Sequence, residues 1–161
     1  MLTRRAALAL SLSTLAAPAA FAQGKGKRAD DPTAIVRAYY AAPADKPLAT
    51  EAGFSRRLAE LYRAAVQKGG ELGEPVAGLD FEFLVNGQDE EPGARKSATY
   101  AVLANQGGKA KVRVNFRNFA PQELTYDLVR ENGRWCIDDV TAAGKDGWRL
   151  SELYAMGAKG Q

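Results

Sequence analysis

Three side chains in this 161-residue chain suggest proton chemistry: Tyr100, Tyr126 and Asp139. The placement of two of them follows from one stretch, Glu123 to Val140, ELTYDLVRENGRWCIDDV. It predicts two antiparallel strands turning at Asn132-Gly133, because an Asn-Gly pair accepts the positive φ values of a type I′ turn. With Glu131 and Arg134 flanking that turn, Leu128 falls opposite Ile137, Arg130 opposite Trp135 and Tyr126 opposite Asp139. Tyr100, on a preceding strand, is assigned to the same oily face. A carboxyl group set against an apolar wall has its pKa raised, and beside a tyrosine hydroxyl it could move a proton on a small ligand. The competing structural role is plainer: an aspartate at a strand end commonly caps the next turn by accepting backbone amides.

A second group of polar residues lies between 71 and 95, where Gly78, Gly87 and Gly93 separate short apolar pieces. Long irregular segments in compact domains are often functional, which makes Asp80, Gln88 and Asp89 candidate ligand-binding residues. Calcium chemistry fails on spacing. With Asp80 at position 1 of an EF-hand, Glu91 reaches position 12, but Leu84 stands at position 5 and Val85 where the glycine is needed. The acidic side chains therefore read as a solvated loop, and no metal site is expected. Histidine is absent, which removes Ser-His and Cys-His pairs and histidine-ligated zinc. The single cysteine, Cys136, sits between Trp135 and Ile137 and reads as a small half-buried apolar group with no internal disulfide partner. Gly107-Gly108 joins strands without opening a helix, so no phosphate-binding loop and no cofactor are indicated.

The elements that must position these residues are legible from periodicity. Aspartate and proline at 31 and 32 predict a helix start, with the helix running to about Ala41 and Ile35, Ala38 and Tyr39 on its inner stripe. Phe54, Leu58, Leu61, Tyr62, Ala65 and Val66 have the spacing of one buried helical face and predict a longer helix from about Thr50 to Gln67, stopped by Gly69-Gly70. Between 79 and 85, alternating Leu79, Phe81, Phe83 and Val85 suggest either a brief strand or a loop with hydrophobic plugs. Four strands follow, near 97–105, 110–117, 122–130 and 134–140, with Tyr100 and Val102 directed to the oily side. A turn at Phe119-Ala120-Pro121 pairs Val112 with Leu128, Val114 with Tyr126 and Phe116 with Leu124. The other face then matches Arg113 with Asp127 and Arg117 with Glu123, while Asp127 and Asp138 stand opposite each other with Arg113 between them. A short helix over Trp148–Ala158 closes the chain.

The N-terminus is organised differently. Basic Arg4-Arg5, an apolar run over Ala6–Leu15 and the small-x-small ending Ala20-Phe21-Ala22 predict a secretory signal peptide cleaved after Ala22, with a twin-arginine route left open beside the general one. The run is too short to span a bilayer. Residues 23–29 form a basic leader and 30–158 a single domain. The formal charge of +3 includes Arg4 and Arg5; without them and without Lys25, Lys27 and Arg28 the rest carries about −2. The sequence pI near 9.0 thus reflects leader and signal, and nucleic acid is not an expected partner.

Tyr39-Tyr40, Leu79-Asp80-Phe81, Gln88-Asp89 and above all LVRENGRWCIDDV at 128–140 resemble a family of small exported bacterial domains within the nuclear-transport-factor-two-like, or cystatin-like, superfamily. The resemblance covers most of residues 30–155. It implies an α+β cone-shaped roll: N-terminal helices on the concave face of a curved antiparallel sheet of about four strands, then a short C-terminal helix. It implies no established chemistry, since fold analogy assigns none. The expected role is a periplasmic or secreted binding or accessory domain, non-enzymatic, for a small ligand, peptide or protein, acting as a monomer or weak homodimer. The alternative is a small isomerase- or dehydratase-like enzyme using Asp139 with Tyr126, a pairing that resembles acid-plus-tyrosine sites of isomerases with this fold.

Overall fold

A computed structural model describes residues 30–43 and 50–160; the expected signal peptide and basic leader lie outside the described residues. The described residues are α+β, with three α-helices and a five-stranded antiparallel sheet in the order β1-β2-β3-β4-β5. The helices are α1 (Thr33–Ala41), α2 (Arg56–Leu72) and α3 (Leu150–Ala158); the strands are β1 (Thr99–Gln106), β2 (Lys109–Asn118), β3 (Ala120–Glu131), β4 (Arg134–Ala142) and β5 (Trp148–Arg149). The fifth strand exceeds the four expected. It takes Trp148 and Arg149 out of the predicted C-terminal helix by pairing them with Ala142 and Thr141.

The β3–β4 turn forms at Asn132 and Gly133 with φ of 50° and 76°, as an Asn-Gly type I′ turn requires. Leu128 pairs with Ile137 and Arg130 with Trp135 as predicted, but Tyr126 pairs with Val140 and Asp127 with Asp139. The cause is a β-bulge: Asp138 is an extra residue in β4, and everything beyond it changes face. Strands β2 and β3 are also offset from expectation, by two residues. Val112 lies opposite Tyr126, Val114 opposite Leu124 and Phe116 opposite Gln122. Phe119 alone makes the reversal, at φ 58°, with Asn118 paired to Ala120, so Pro121 belongs to the strand and not to a wider turn. A shift of two keeps side-chain parity. Val112, Val114, Leu124, Tyr126, Leu128 and Ile137 all face one core and are at most 1% exposed. Tyr100 faces the same way opposite Val114, whereas Val102, on that face too, is left exposed beyond the helical cover.

Helix α2 begins later and ends later than its hydrophobic spacing suggests. Thr50–Gly53 is a separate 3₁₀ turn, and Ser55 caps α2 by accepting from the Leu58 amide at 3.1 Å. Phe54 thus precedes the helix, bridging the free edge of β4 at Ile137 while the Ser55 amide donates to the Ile137 carbonyl. Gly69-Gly70 does not stop the helix. A Cβ on Gly69 would lie 2.7 Å from the Glu74 carbonyl oxygen, so glycine there lets the returning chain cross close by, and Gly73, at φ 77°, provides the left-handed cap.

On α1, Asp31 accepts from the Thr33 amide at 2.9 Å, and the buried stripe is Val36, Tyr39 and Tyr40; Ile35 is half-buried and Ala38 exposed. No strand forms over 79–85. Phe83, Leu84 and Val85 are all buried in succession, which the two-residue alternation of a half-buried strand does not permit, and the segment turns back through a single Glu82–Gly87 bridge. Among the described residues, no helix is long and apolar enough to cross a membrane.

Candidate functional site

The bulge at Asp138 decides what Asp139 can do. Its carboxylate is 3% exposed, with every lobe engaged. Oδ1 accepts from the Val140 amide at 3.0 Å and the Ser151 amide at 3.1 Å; Oδ2 accepts from Ser151 Oγ at 2.7 Å and Arg149 Nη1 at 2.8 Å. Ser151 lies in the first turn of α3, where backbone N–H groups lack intrahelical partners, so Asp139 clasps that helix to β4. This is the amide-capping role weighed against catalysis above. Tyr126 points to the opposite face of the sheet, so the proposed acid-plus-tyrosine pair is not assembled.

Tyr126 is itself sealed in the core, 0% exposed. The Tyr40 hydroxyl donates to the Leu84 carbonyl at 2.8 Å, which commits its one proton; Tyr126, 3.2 Å away, therefore donates to Tyr40. Burial, and then the neighbouring Tyr40, push the Tyr126 hydroxyl well above its ordinary pKa, and burial raises Tyr40 as well. Both stay neutral and act as structural donors.

The outer face of the sheet carries a charged cluster whose pairings differ from the predicted ladder. Lys111, not Arg113, pairs with Asp127. Arg149 stands 3.8 Å from Asp127 and 2.8 Å from Asp139, and Arg57 lies 3.1 Å from Asp138 and 3.6 Å from Asp139. Arg113 turns to Glu123 at 3.8 Å, and Arg117 to Glu91 at 3.6 Å. Asp138 also accepts from Ser55 Oγ at 2.7 Å. Burial pushes the Asp138 carboxyl up, but the bonds from Arg57 and Ser55 outweigh it and hold the group below the usual carboxylate range. These acids are occupied by cations, and among the described residues no group of three or more His, Cys, Asp or Glu is placed to hold a metal ion. Cys136 is half-buried, and burial followed by Glu131 raises its thiol pKa, which keeps it from being a ready nucleophile.

Asp80, Gln88 and Asp89 are exposed and do not converge. The loop that carries Gln88 and Asp89 is instead organised by Asn118, a residue sequence reasoning passed over. Asn118 is 4% exposed; its Nδ2 donates to the carbonyls of Val85 at 3.0 Å and Asp89 at 2.9 Å, and its Oδ1 accepts from the Glu91 amide at 2.8 Å. One asparagine at the end of β2 thus fixes the path of 85–91, and the residues that follow run to the end of α1.

There a cleft of about 660 Å³ opens between the end of α1, the 90–98 segment and β1. Tyr100 is the one predicted site residue that lines it. The Arg37 guanidinium sits 4.2 Å over the Tyr100 ring, within cation–π range, and Tyr40 meets Tyr100 edge-on with ring centroids 5.8 Å apart. Burial raises the Tyr100 hydroxyl pKa, with Arg37 opposing. Arg95 pairs with Glu90 at 2.9 Å, and Lys96 completes the charged part of the wall. Ala41, Ala42, Pro43, Gly93 and Ala98 leave the rest small and apolar. Arg95 and Lys96 are neighbours in sequence but lie far from Arg37, which helical spacing puts beside Tyr40 on α1. No family model, curated protein or solved structure matches this chain.

Proposed function

We propose that this is an exported, non-enzymatic binding or accessory domain built as a cone-shaped roll, with its ligand site in the cleft at Tyr40, Tyr100 and Arg37. One contrast carries the reading. The buried carboxylate of Asp139 is saturated by structural donors, whereas the cleft combines aromatic surface, small apolar residues and incompletely paired cations, the composition of a recognition site. Its volume lies within the range of about 300–1,000 Å³ typical of small-molecule pockets. Export rests on the charged start, apolar run and Ala20-Phe21-Ala22 ending of the N-terminus.

Each half has its own test. Protein recovered from outside the cytoplasm begins at Gln23; a chain retained inside with Met1 in place refutes export. In a fragment screen followed by amide chemical shifts, responses cluster at residues 37–43 and 93–100. Fragments that bind only elsewhere, or turnover that disappears in Asp139→Asn, would overturn the binding assignment.

A further inference from the structure

We infer that the cleft selects a small organic anion, a carboxylate or phosphate monoester carried on an apolar body, with Arg37 and Lys96 supplying the charge recognition. This rests on the reading of the cleft as a ligand site and goes on to the ligand's chemistry. Three cations line the cleft, Arg37, Arg95 and Lys96, against one carboxylate, Glu90, and that carboxylate is already bound to Arg95 Nε. Neither Arg37 nor Lys96 has a carboxylate within 4.0 Å among the described residues. The clustered cations on the outer face behave differently, for Arg57, Lys111 and Arg149 each have an acid partner.

Arg37 is also held ready. Its Nε donates to Thr33 Oγ1 at 3.0 Å, Thr33 is in turn tied to Asp31, and the guanidinium carbon sits 4.2 Å over the Tyr100 ring. A planar guanidinium fixed at one nitrogen still offers the donors of its other two, in the fork geometry that suits carboxylate and phosphate oxygens. The partner is organic because an inorganic ion would leave most of the 660 Å³ unfilled beside Ala41, Pro43 and Ala98, whose apolar surface gains from contact with carbon.

The test is an amide chemical-shift titration of the mature chain with phenyl phosphate and, separately, with uncharged phenol. Phenyl phosphate is expected to shift residues 37–42 and 93–100 saturably, and to bind about tenfold more tightly than phenol, a gap that narrows at high salt. Arg37→Gln weakens phenyl phosphate by about tenfold and removes most of its margin over phenol, as expected for loss of a charge-assisted pair. Lys96 is exposed, so Lys96→Gln keeps the fold and gives a smaller loss in the same direction. If phenol binds as tightly as phenyl phosphate, or both variants bind phenyl phosphate like wild type, the anion inference fails while the ligand site stands. If neither probe shifts those amides and no other fragment does, both fail.

Discussion

Replacing Asn118 by aspartate changes almost nothing in shape and removes the donor of two hydrogen bonds. In the native protein the Asn118 amide nitrogen faces the Val85 and Asp89 carbonyls at 3.0 and 2.9 Å, while its oxygen receives the Glu91 amide at 2.8 Å. Aspartate preserves the last contact and turns the other two into oxygen facing oxygen. Each buried acceptor left unsatisfied costs about 1–3 kcal/mol, and the Asp89 end is only partly buried, so the lower half applies to each: roughly 2–4 kcal/mol for the two. For an ordered domain of this length about 1 kcal/mol corresponds to roughly 4 °C, which places the loss in Tm near 10 °C.

The pH dependence gives this effect a second signature. A buried carboxyl confronting two carbonyls favours its protonated form, because only then does it donate, and its folded pKa rises above the unfolded value. The contribution of such a group is present below the unfolded pKa and is lost as pH rises through the folded one. Asn118→Asp should therefore lie closer to wild type at pH 4 than at pH 7. Thermal melts at both pH values, with hydrogen exchange over 83–93 to show that the loop is what loosens, make the check. A variant melting within about 2 °C of wild type at pH 7, or a deficit that widens on acidification, refutes the assignment of Asn118 as the loop's anchor.

Two further substitutions probe the packing and the charge cluster. Gly157→Ala in α3 would ordinarily gain up to about 1 kcal/mol of helix propensity. Here the added Cβ would fall 1.9 Å from the Ala77 carbonyl oxygen, so a net loss of about 1–3 kcal/mol is expected in urea denaturation, and unchanged stability would contradict the close crossing of Ala77–Gly78 over the helix. Asp138, whose pKa is held down by Arg57 and Ser55 against its burial, contributes stability above its unfolded pKa that disappears as pH falls through the lower folded value. Asp138→Asn should flatten the acid limb of the stability curve below about pH 4, by at most ~1.4 kcal/mol per pH unit; identical acid limbs in both proteins would refute the depressed pKa.

The parts of this molecule that local pattern dictates were readable in advance. Asn132-Gly133 had one comfortable turn available to it, and Val112, Val114, Leu124, Tyr126 and Leu128 shared a parity that survived a two-residue error in register. Features set by distant contacts were not. Gly69 reads as a helix stop until the returning segment at Glu74–Ala77 is seen pressed against it. Asn118 reads as an ordinary polar strand residue, because nothing local says that Val85, Asp89 and Glu91 will converge on its amide. The cleft was missed for the same reason: its cations come from α1 and from the turn before β1, and charge runs in a sequence do not reveal which charges lack partners. Tyr100 alone was found, since strand parity placed it.

The misplacement of Asp139 is more instructive, because the information that corrects it was present as a change of parity. Strict alternation from Trp135 and Ile137 would carry Asp139 and Thr141 into the core and expose Val140 and Ala142. One extra residue at Asp138 reverses that choice, and Val140 is fully buried with Ala142 nearly so. Burying the valine side chain is worth about 1.5–3 kcal/mol, and the bulge also spares the core an ionised carboxylate, which far exceeds the cost of one irregular pairing in a ladder. The acid so displaced lands where Arg149, Ser151 and the first turn of α3 can all reach it. An aspartate next to a hydrophobic strand end is therefore weak grounds for acid catalysis when the first and third residues after it carry the apolar pattern in the opposite phase. In this chain the same bulge that turns Asp139 away from the apolar core face supplies the buried anchor for α3, which is how a residue read as a proton donor becomes a structural clasp.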